Sequence, residues 1–207
     1  MIECFDPVSR EFFAQPVLSL ARRLIGSVIV SAPPGEALTA GKIVETEAYR
    51  GPDDLAAHSR GGLRTKRTEV MFGHPGHAYV FLLYGSSWAF NIVAGAEGSP
   101  HAVLVRAVEP LVGFGTMALR RSRSADHREL TNGPGKLCQA LGIDKRHNGA
   151  DLTSPELFIG FSKKARAVKL RVGRSARINI AYAGSWVSRQ WRFYEAGNRY
   201  VSAAPRI

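Results

Sequence analysis

This chain of 207 residues has few cysteines and no long apolar segment, and both shortages limit what it can be. Its two cysteines, Cys4 and Cys138, lie far apart, and neither stands at a ligand spacing from a histidine, which argues against a disulfide scaffold or a zinc site. No apolar run approaches the roughly 20 residues that a membrane-spanning helix needs. The first residues do not follow the basic-then-apolar order of a secretory signal. We therefore expect a soluble intracellular protein.

Acidic residues are also scarce. The chain has 28 Lys and Arg against 17 Asp and Glu, which leaves a formal net charge of +11. A field of this sign attracts polyanions and opposes self-association, so we expect a monomer. Nucleic acid is the usual partner of such a chain, ahead of anionic membranes and acidic proteins. The cations lie in three blocks: Arg60, Arg64, Lys66 and Arg67; Arg120, Arg121, Arg123 and Arg128; and Lys163, Lys164, Arg166, Lys169, Arg171, Arg174 and Arg177. Each block alone could be a solvated surface, but together they predict contacts with phosphates.

The sequence has no proline- or serine-rich linker, no repeat and no low-complexity block, which favours a single domain over residues 1–207. Periodicity predicts three helices, over 16–25, 111–121 and 132–141. It predicts strands over 27–32, 41–49 and 102–110, and a hairpin over 77–95. The segments LFIGF, AVKLRV, ARINIAY and WRFYE predict further strands. This is an α+β pattern, a curved, mostly antiparallel sheet or partial barrel flanked by helices.

The run ETEAYRGPDDLAAHSR, residues 45–60, combines carboxylates at the end of a strand with a tyrosine and a histidine. Such a combination suits acid–base chemistry. Glu45 and Glu47 should point to one face, because side chains alternate along a strand. The competing interpretation is that Glu45, Glu47 and Asp53 form the wet face of an edge strand and a turn.

Eight segments in a fixed order resemble the alkyladenine (3-methyladenine) DNA glycosylases found in mammals and many bacteria. They are LARRLIG, IVETEAYRGPDDLAAHSRGG, MFGHPGHAYVFLLYG, FNIV, VLVRAVEPL, GPGKLCQALGI, ARINIAYAG and WRFY, and they span nearly the whole chain. The resemblance implies a fold similar to the C-terminal domain of methionyl-tRNA formyltransferase. It also implies an enzyme that flips a damaged purine out of double-stranded DNA and hydrolyses its N-glycosidic bond with water. No metal or other cofactor is implied. The protein would be cytoplasmic and nucleoid-associated if bacterial, and nuclear if eukaryotic.

The resemblance assigns the chemistry to an acid and a cation. Glu47 matches the general base, which suits a bond that breaks through an oxocarbenium-like transition state. An unperturbed glutamate, with a pKa of about 4.3, is already ionised at neutral pH. The residues alone do not separate Glu45 from Glu47. Arg106, a cation within an apolar strand, needs an anionic partner; the resemblance places it at the water and a phosphate, and the alternative is a salt bridge with Glu109. The Ile180 carbonyl matches a further water ligand.

The resemblance assigns base recognition to five other side chains. Tyr49, His58 and Phe81 match the walls of the base pocket, and aromatic faces suit electron-poor alkylated bases; hydrophobic core is the alternative. Asn91 matches the residue that clashes with the exocyclic amine of guanine, with a buried hydrogen bond to backbone as the alternative. Tyr84 matches the wedge that fills the gap left by the flipped nucleotide.

Two other function classes stay open at this point. A non-catalytic nucleic-acid module would need the same basic surface, and an RNA-directed protein would share the charge. The sequence also does not distinguish 3-methyladenine, 7-methylguanine, hypoxanthine and ethenoadenine as substrates.

Overall fold

A computed structural model of the chain describes residues 4–83, 85–163 and 170–202. The strands in these residues are β1 (Phe5–Pro7), β2 (Val28–Ser31), β3 (Thr39–Tyr49), β4 (Ala78–Leu83), β5 (Ser87–Ala94), β6 (His101–Val112), β7 (Leu157–Ser162), β8 (Val172–Ser175) and β9 (Arg192–Glu195). The α-helices are α1 (Arg10–Phe13), α2 (Val17–Arg23), α3 (Phe114–Arg121) and α4 (Pro134–Leu141).

These strands form one unclosed sheet in the order β1-β7-β2-β3-β6-β5-β4, with β9 alongside β3 and β8 alongside β9. The strand pairs in this sheet are antiparallel. The predicted α+β class with a mostly antiparallel sheet is therefore confirmed. The likeness to the formyltransferase domain stays a prediction.

Strand β3 is unusual because it has neighbours along both edges. Its first half pairs with β2, its second half pairs with β9, and most of its length pairs with β6 on the other edge. The wet-face interpretation is therefore wrong for Glu45 and Glu47, which are fully buried. It is right for Asp53, which is exposed and pairs with Arg50.

Because side chains alternate between the two faces of a sheet, four of the strands have a core face and a second, partly polar face. Core-facing residues such as Val80, Ile92, Val105 and Ala48 pack with the helices into the main hydrophobic cluster. The register of β4, β5, β6 and β3 sets another row of residues side by side: Tyr79, Asn91, Leu104 and Glu47. This row belongs to the second face, and it places a carboxylate, an amide and a phenol on one rigid surface.

An irregularity in the β3–β6 pairing re-aims one side chain. Glu45 pairs with Ala107 and Thr46 with Val105, so Arg106 is an extra residue that no β3 residue opposes. A bulge of this kind bends the strand and redirects the bulged side chain. Arg106 can therefore turn toward Glu45 and Glu47 from within an otherwise apolar strand.

Several predicted boundaries need correction. The helix predicted to start at Leu111 starts at Phe114, because β6 continues to Val112. ARINIAY is not a strand: Asn179 has a left-handed backbone (φ 59°), and Ala181–Trp186 forms a 3-10 helix. The chain turns here because the Arg177 side chain is held inward by Asp54. Of AVKLRV, residues 167–169 lie outside the described residues.

Within the part of the chain that the structure describes, no helix is long and apolar enough to cross a membrane.

Candidate active site

A cavity of about 660 Å³ opens over the second face of the sheet. Six residues predicted for catalysis or base recognition line it: Tyr49, His58, Phe81, Asn91, Arg106 and Ile180. They come from β3, β4, β5, β6 and two loops. The fold therefore brings these predicted residues together.

Glu47 lies just beneath this cavity and is held on both carboxylate oxygens. Oε2 accepts a hydrogen bond from the Tyr49 hydroxyl at 2.8 Å, and Oε1 accepts one from the Ile178 backbone amide at 2.7 Å. The Arg106 Nε lies 3.5 Å from Oε1. Because a carboxylate has about four acceptor sites, these contacts fix its orientation and leave capacity for a water molecule.

Burial raises the pKa of Glu47 above its ordinary value. Arg106, the Ile178 amide and the Tyr49 hydroxyl oppose this shift, while the nearby charge of Glu45 adds to it. The pKa of an unperturbed glutamate therefore does not describe Glu47. A carboxylate with a raised pKa is a stronger base than a solvated one, which suits proton abstraction near neutral pH.

Arg106 belongs to a buried cluster of four charges. Its Nε donates to Glu45 Oε1 at 2.9 Å, and the Arg192 Nε donates to the same oxygen at 2.7 Å. Two carboxylates, Glu45 and Glu47, thus face two guanidinium groups. The predicted alternative partner Glu109 is wrong, because Glu109 pairs with Lys42. Each buried charge therefore has an opposite charge beside it, as burial requires.

A second buried ion pair supports the Tyr49 wall. Arg177 donates to both carboxylate oxygens of Asp54, at 2.5 and 2.9 Å, and to the Ala48 carbonyl at 2.9 Å. Its guanidinium lies 4.7 Å from the centre of the Tyr49 ring. Asp54 also accepts hydrogen bonds from the backbone amides of Arg50 and Ala56. This pair ties the loop after β3 to the segment that supplies the Ile178 amide.

His58 is held as a neutral imidazole. Burial, with the charges of Arg67 and Arg60, lowers the pKa of His58 to about 4. Arg67 lies 3.3 Å from Nε2, and an arginine can only donate, so Nε2 carries the lone pair. The proton is then on Nδ1, which lies 2.9 Å from the Tyr79 hydroxyl and donates to it. Sequence analysis did not identify this orienting role for Tyr79.

The other two recognition residues also have defined neighbours. Phe81 packs edge-on against the His58 ring, 4.6 Å between centroids, and Arg67 lies 4.8 Å from its ring centre. Asn91 is buried, and its amide nitrogen donates to the Tyr79 carbonyl at 3.0 Å. The alternative of a buried hydrogen bond to backbone is thus present. That bond fixes the orientation of an amide that lines the cavity.

The Ile180 carbonyl accepts a hydrogen bond from the Ala183 amide at 2.9 Å. A carbonyl oxygen has two lone pairs, so one acceptor site is left for another donor. Its role as a water ligand stays a prediction.

Cations surround the cavity mouth unequally. Of the predicted DNA-binding block, Arg67 lines the cavity, whereas Arg60, Arg64 and Lys66 are exposed on the neighbouring loop. Arg64 is paired with Glu69 at 2.6 Å. Arg121, from the second predicted block of cations, also lines the cavity, and so does Lys136, which the sequence did not single out. The predicted wedge Tyr84 lies outside the described residues.

Sequence comparison places the chain among known proteins. The sequence model of the methylpurine-DNA glycosylase (MPG) family matches residues 11–199. A relative from Desulfitobacterium hafniense is 45% identical over 202 residues, covering 94% of this chain and 98% of its own. Relatives from Bacillus cereus and Bacillus anthracis are 45% and 44% identical over 198 residues, covering 92% of this chain and 96% of theirs. All three carry the provisional name 3-methyladenine DNA glycosylase.

Proposed function

Because this chain belongs to the methylpurine-DNA glycosylase family, we propose that it removes damaged purines from double-stranded DNA by hydrolysing their N-glycosidic bonds. The observation that carries the proposal is the position of Glu47, a fully buried carboxylate bonded to two residues that line the cavity. The product would be free base and an abasic site. The nucleophile would be water and not an amine of the enzyme.

The chemical step follows from the transition state. When the bond between purine and deoxyribose breaks, positive charge develops on the sugar, and a nearby anion stabilises it. Glu47 would supply that anion and take a proton from the attacking water. Arg106 and the Ile180 carbonyl would hold the water, since Arg106 donates and the carbonyl accepts. Fixed groups of this kind need no reorganisation during the reaction.

Base recognition would use the aromatic lining. Tyr49, Phe81 and His58 present rings to one cavity, and such rings attract electron-poor or cationic alkylated purines. The low pKa of His58 matters here, because a charged imidazole would repel a cationic base. The fixed side chain of Asn91 would occupy the position of the guanine amine and exclude undamaged guanine by steric overlap.

The purine must leave the duplex to reach this cavity. Extrusion costs a few kcal/mol, least for a damaged pair, and stacking on an aromatic ring returns about 1–3 kcal/mol per base. The basic residues near the mouth, Arg67, Arg121 and Lys136, would hold the flanking phosphates.

Base release from a panel of duplexes tests the proposal. Each duplex carries one 3-methyladenine, 7-methylguanine, hypoxanthine or ethenoadenine, and an undamaged duplex and a structured RNA serve as controls. We expect free base and alkali-labile abasic sites from at least one lesion, without release from the controls. Binding of all polymers with no base released would favour a non-catalytic nucleic-acid module. Preferred binding to RNA would favour an RNA-directed protein.

A further inference from the structure

We infer that Glu45 is a positioning residue for the reaction: it takes the Nε hydrogen bond of Arg106 and thereby keeps that cation from closing onto Glu47. The inference rests on the proposed function. It concerns a residue that contacts neither the cavity nor a substrate, and that acts through Arg106.

The distances show how Arg106 divides its contacts. Its Nε atom, which carries a single hydrogen, lies 2.9 Å from Glu45 Oε1, within hydrogen-bond range, whereas it lies 3.5 Å from Oε1 of Glu47. One of its other nitrogens lies 3.5 Å from the Ser202 hydroxyl. Arg106 is thus anchored on the side of Glu45, although it lines the cavity and neighbours Glu47.

Glu45 is itself immobilised by three other hydrogen-bond donors. Its Oε1 accepts from Arg192 at 2.7 Å and from the Ser202 hydroxyl at 2.8 Å, and its Oε2 accepts from the Ser202 amide at 2.7 Å. Arg192 also donates a hydrogen bond to the Ser202 carbonyl at 3.1 Å. A carboxylate fixed this firmly holds Arg106 in one orientation.

The consequence falls on the strength of Glu47 as a base. The groups that face Glu47 are Glu45 and Tyr49 on β3, Arg106 on β6, Arg192 opposite it on β9, and the Ile178 amide with Arg177 from the segment after β8. Burial and Glu45 raise the pKa of Glu47, and Arg106 lowers it. Without Glu45, Arg106 would bond fully to Glu47. The loss of the Glu45 charge and the closer approach of Arg106 would both lower the pKa of Glu47 and make it a weaker base.

The test compares the pH dependence of single-turnover base excision in the wild type and in Glu45→Gln. In a plot of excision rate against pH, the acidic limb is the range in which the rate rises as Glu47 loses its proton. We expect the acidic limb of the variant to move to lower pH by about one unit. We also expect its rate at pH 7 to fall about tenfold, with unchanged affinity for DNA. Glu45→Asp, which keeps the charge, should retain the wild-type limb. Glu109→Gln, which breaks an ion pair with Lys42 elsewhere in the sheet, is the control and should leave the limb unchanged.

Glu45→Gln leaves one excess buried positive charge and could fold poorly. Glu45→Gln combined with Arg192→Met removes one charge of each sign and should show the same limb shift. The inference would be overturned if either variant kept the acidic limb of the wild type and lost activity only to the extent that less of the protein is folded. Failure of both to fold would also overturn it, since Glu45 would then be structural first. If the wild type releases no base, the proposed function fails; if it releases base without a limb shift in the variants, only this inference fails.

Discussion

The floor of the cavity and the loop at its rim use charge in opposite ways. On the floor and directly beneath it, Arg106, Glu47 and Glu45 are buried on paired strands, and each contacts an opposite charge at 3.5 Å or less. On the rim, residues 60–67 are exposed, and Arg64 forms a local ion pair with Glu69. Strands fix the groups that would do chemistry, whereas the loop leaves cations available to a polyanion.

This difference should appear in energetics. Breaking a buried pair leaves an uncompensated charge, which is costly, whereas an exposed pair contributes about 0–1 kcal/mol. The floor should therefore govern stability and rate, and the rim should govern affinity and its response to salt.

The largest difference is expected from the same substitution at two arginines. Arg106→Met should lower the free energy of unfolding by about 3–5 kcal/mol, because Glu47 loses its nearest cation. Arg67→Met, at the rim, should leave stability unchanged. Urea denaturation of both variants measures this. Equal losses would mean that the two regions do not differ as described.

Asn91 tests the floor as a reader of the base. Asn91→Ala removes the amide that is fixed by the Tyr79 carbonyl, so the side chain that would overlap with the guanine amine is lost. We expect the ratio of excision between a damaged purine and undamaged guanine to fall about tenfold. Base release from both duplexes gives the ratio. Asn198→Ala, at an amide bonded to Glu109 and Glu195, is the control and should keep it. An unchanged ratio in Asn91→Ala would leave this amide a purely structural role.

The smallest effect compares two rim arginines. Arg67 lines the cavity mouth, whereas Arg64 is neutralised by Glu69 and lies 5.0 Å from the Phe72 ring centre. Arg67→Met should reduce the slope of log affinity against log salt by about 0.9, the value for one phosphate contact. Arg64→Met should change it less. Titrating a labelled duplex at several salt concentrations measures both slopes, and a larger change for Arg64 would reverse this assignment.

The sequence predicted the strands that build the floor, because their apolar alternation is strong. It placed Glu45 and Glu47 on one face and Arg106 in need of an anion, and the structure confirms both. It did not reveal that β3 is paired along both edges, since pairing partners are distant in sequence. The burial of both glutamates follows from that pairing, so the wet-face alternative could not be discarded beforehand.

The other features that could not be predicted from the sequence have similar causes. The Ile178 amide that bonds Glu47 is a backbone group, which side-chain identity does not disclose. Arg192 and Ser202 reach Glu45 from more than 140 residues away in sequence. The strand predicted over ARINIAY has the right composition, but the Arg177–Asp54 ion pair overrides that propensity.

Replacement of one carboxylate tests the central claim most directly. Glu47→Gln keeps the size of the side chain and removes the base, so single-turnover excision from a lesion-bearing duplex should fall by about 10²–10⁴-fold. Affinity for the same duplex should persist, and Glu156→Gln, at an exposed glutamate, should match the wild type. Excision by Glu47→Gln within a few-fold of the wild-type rate would contradict the account.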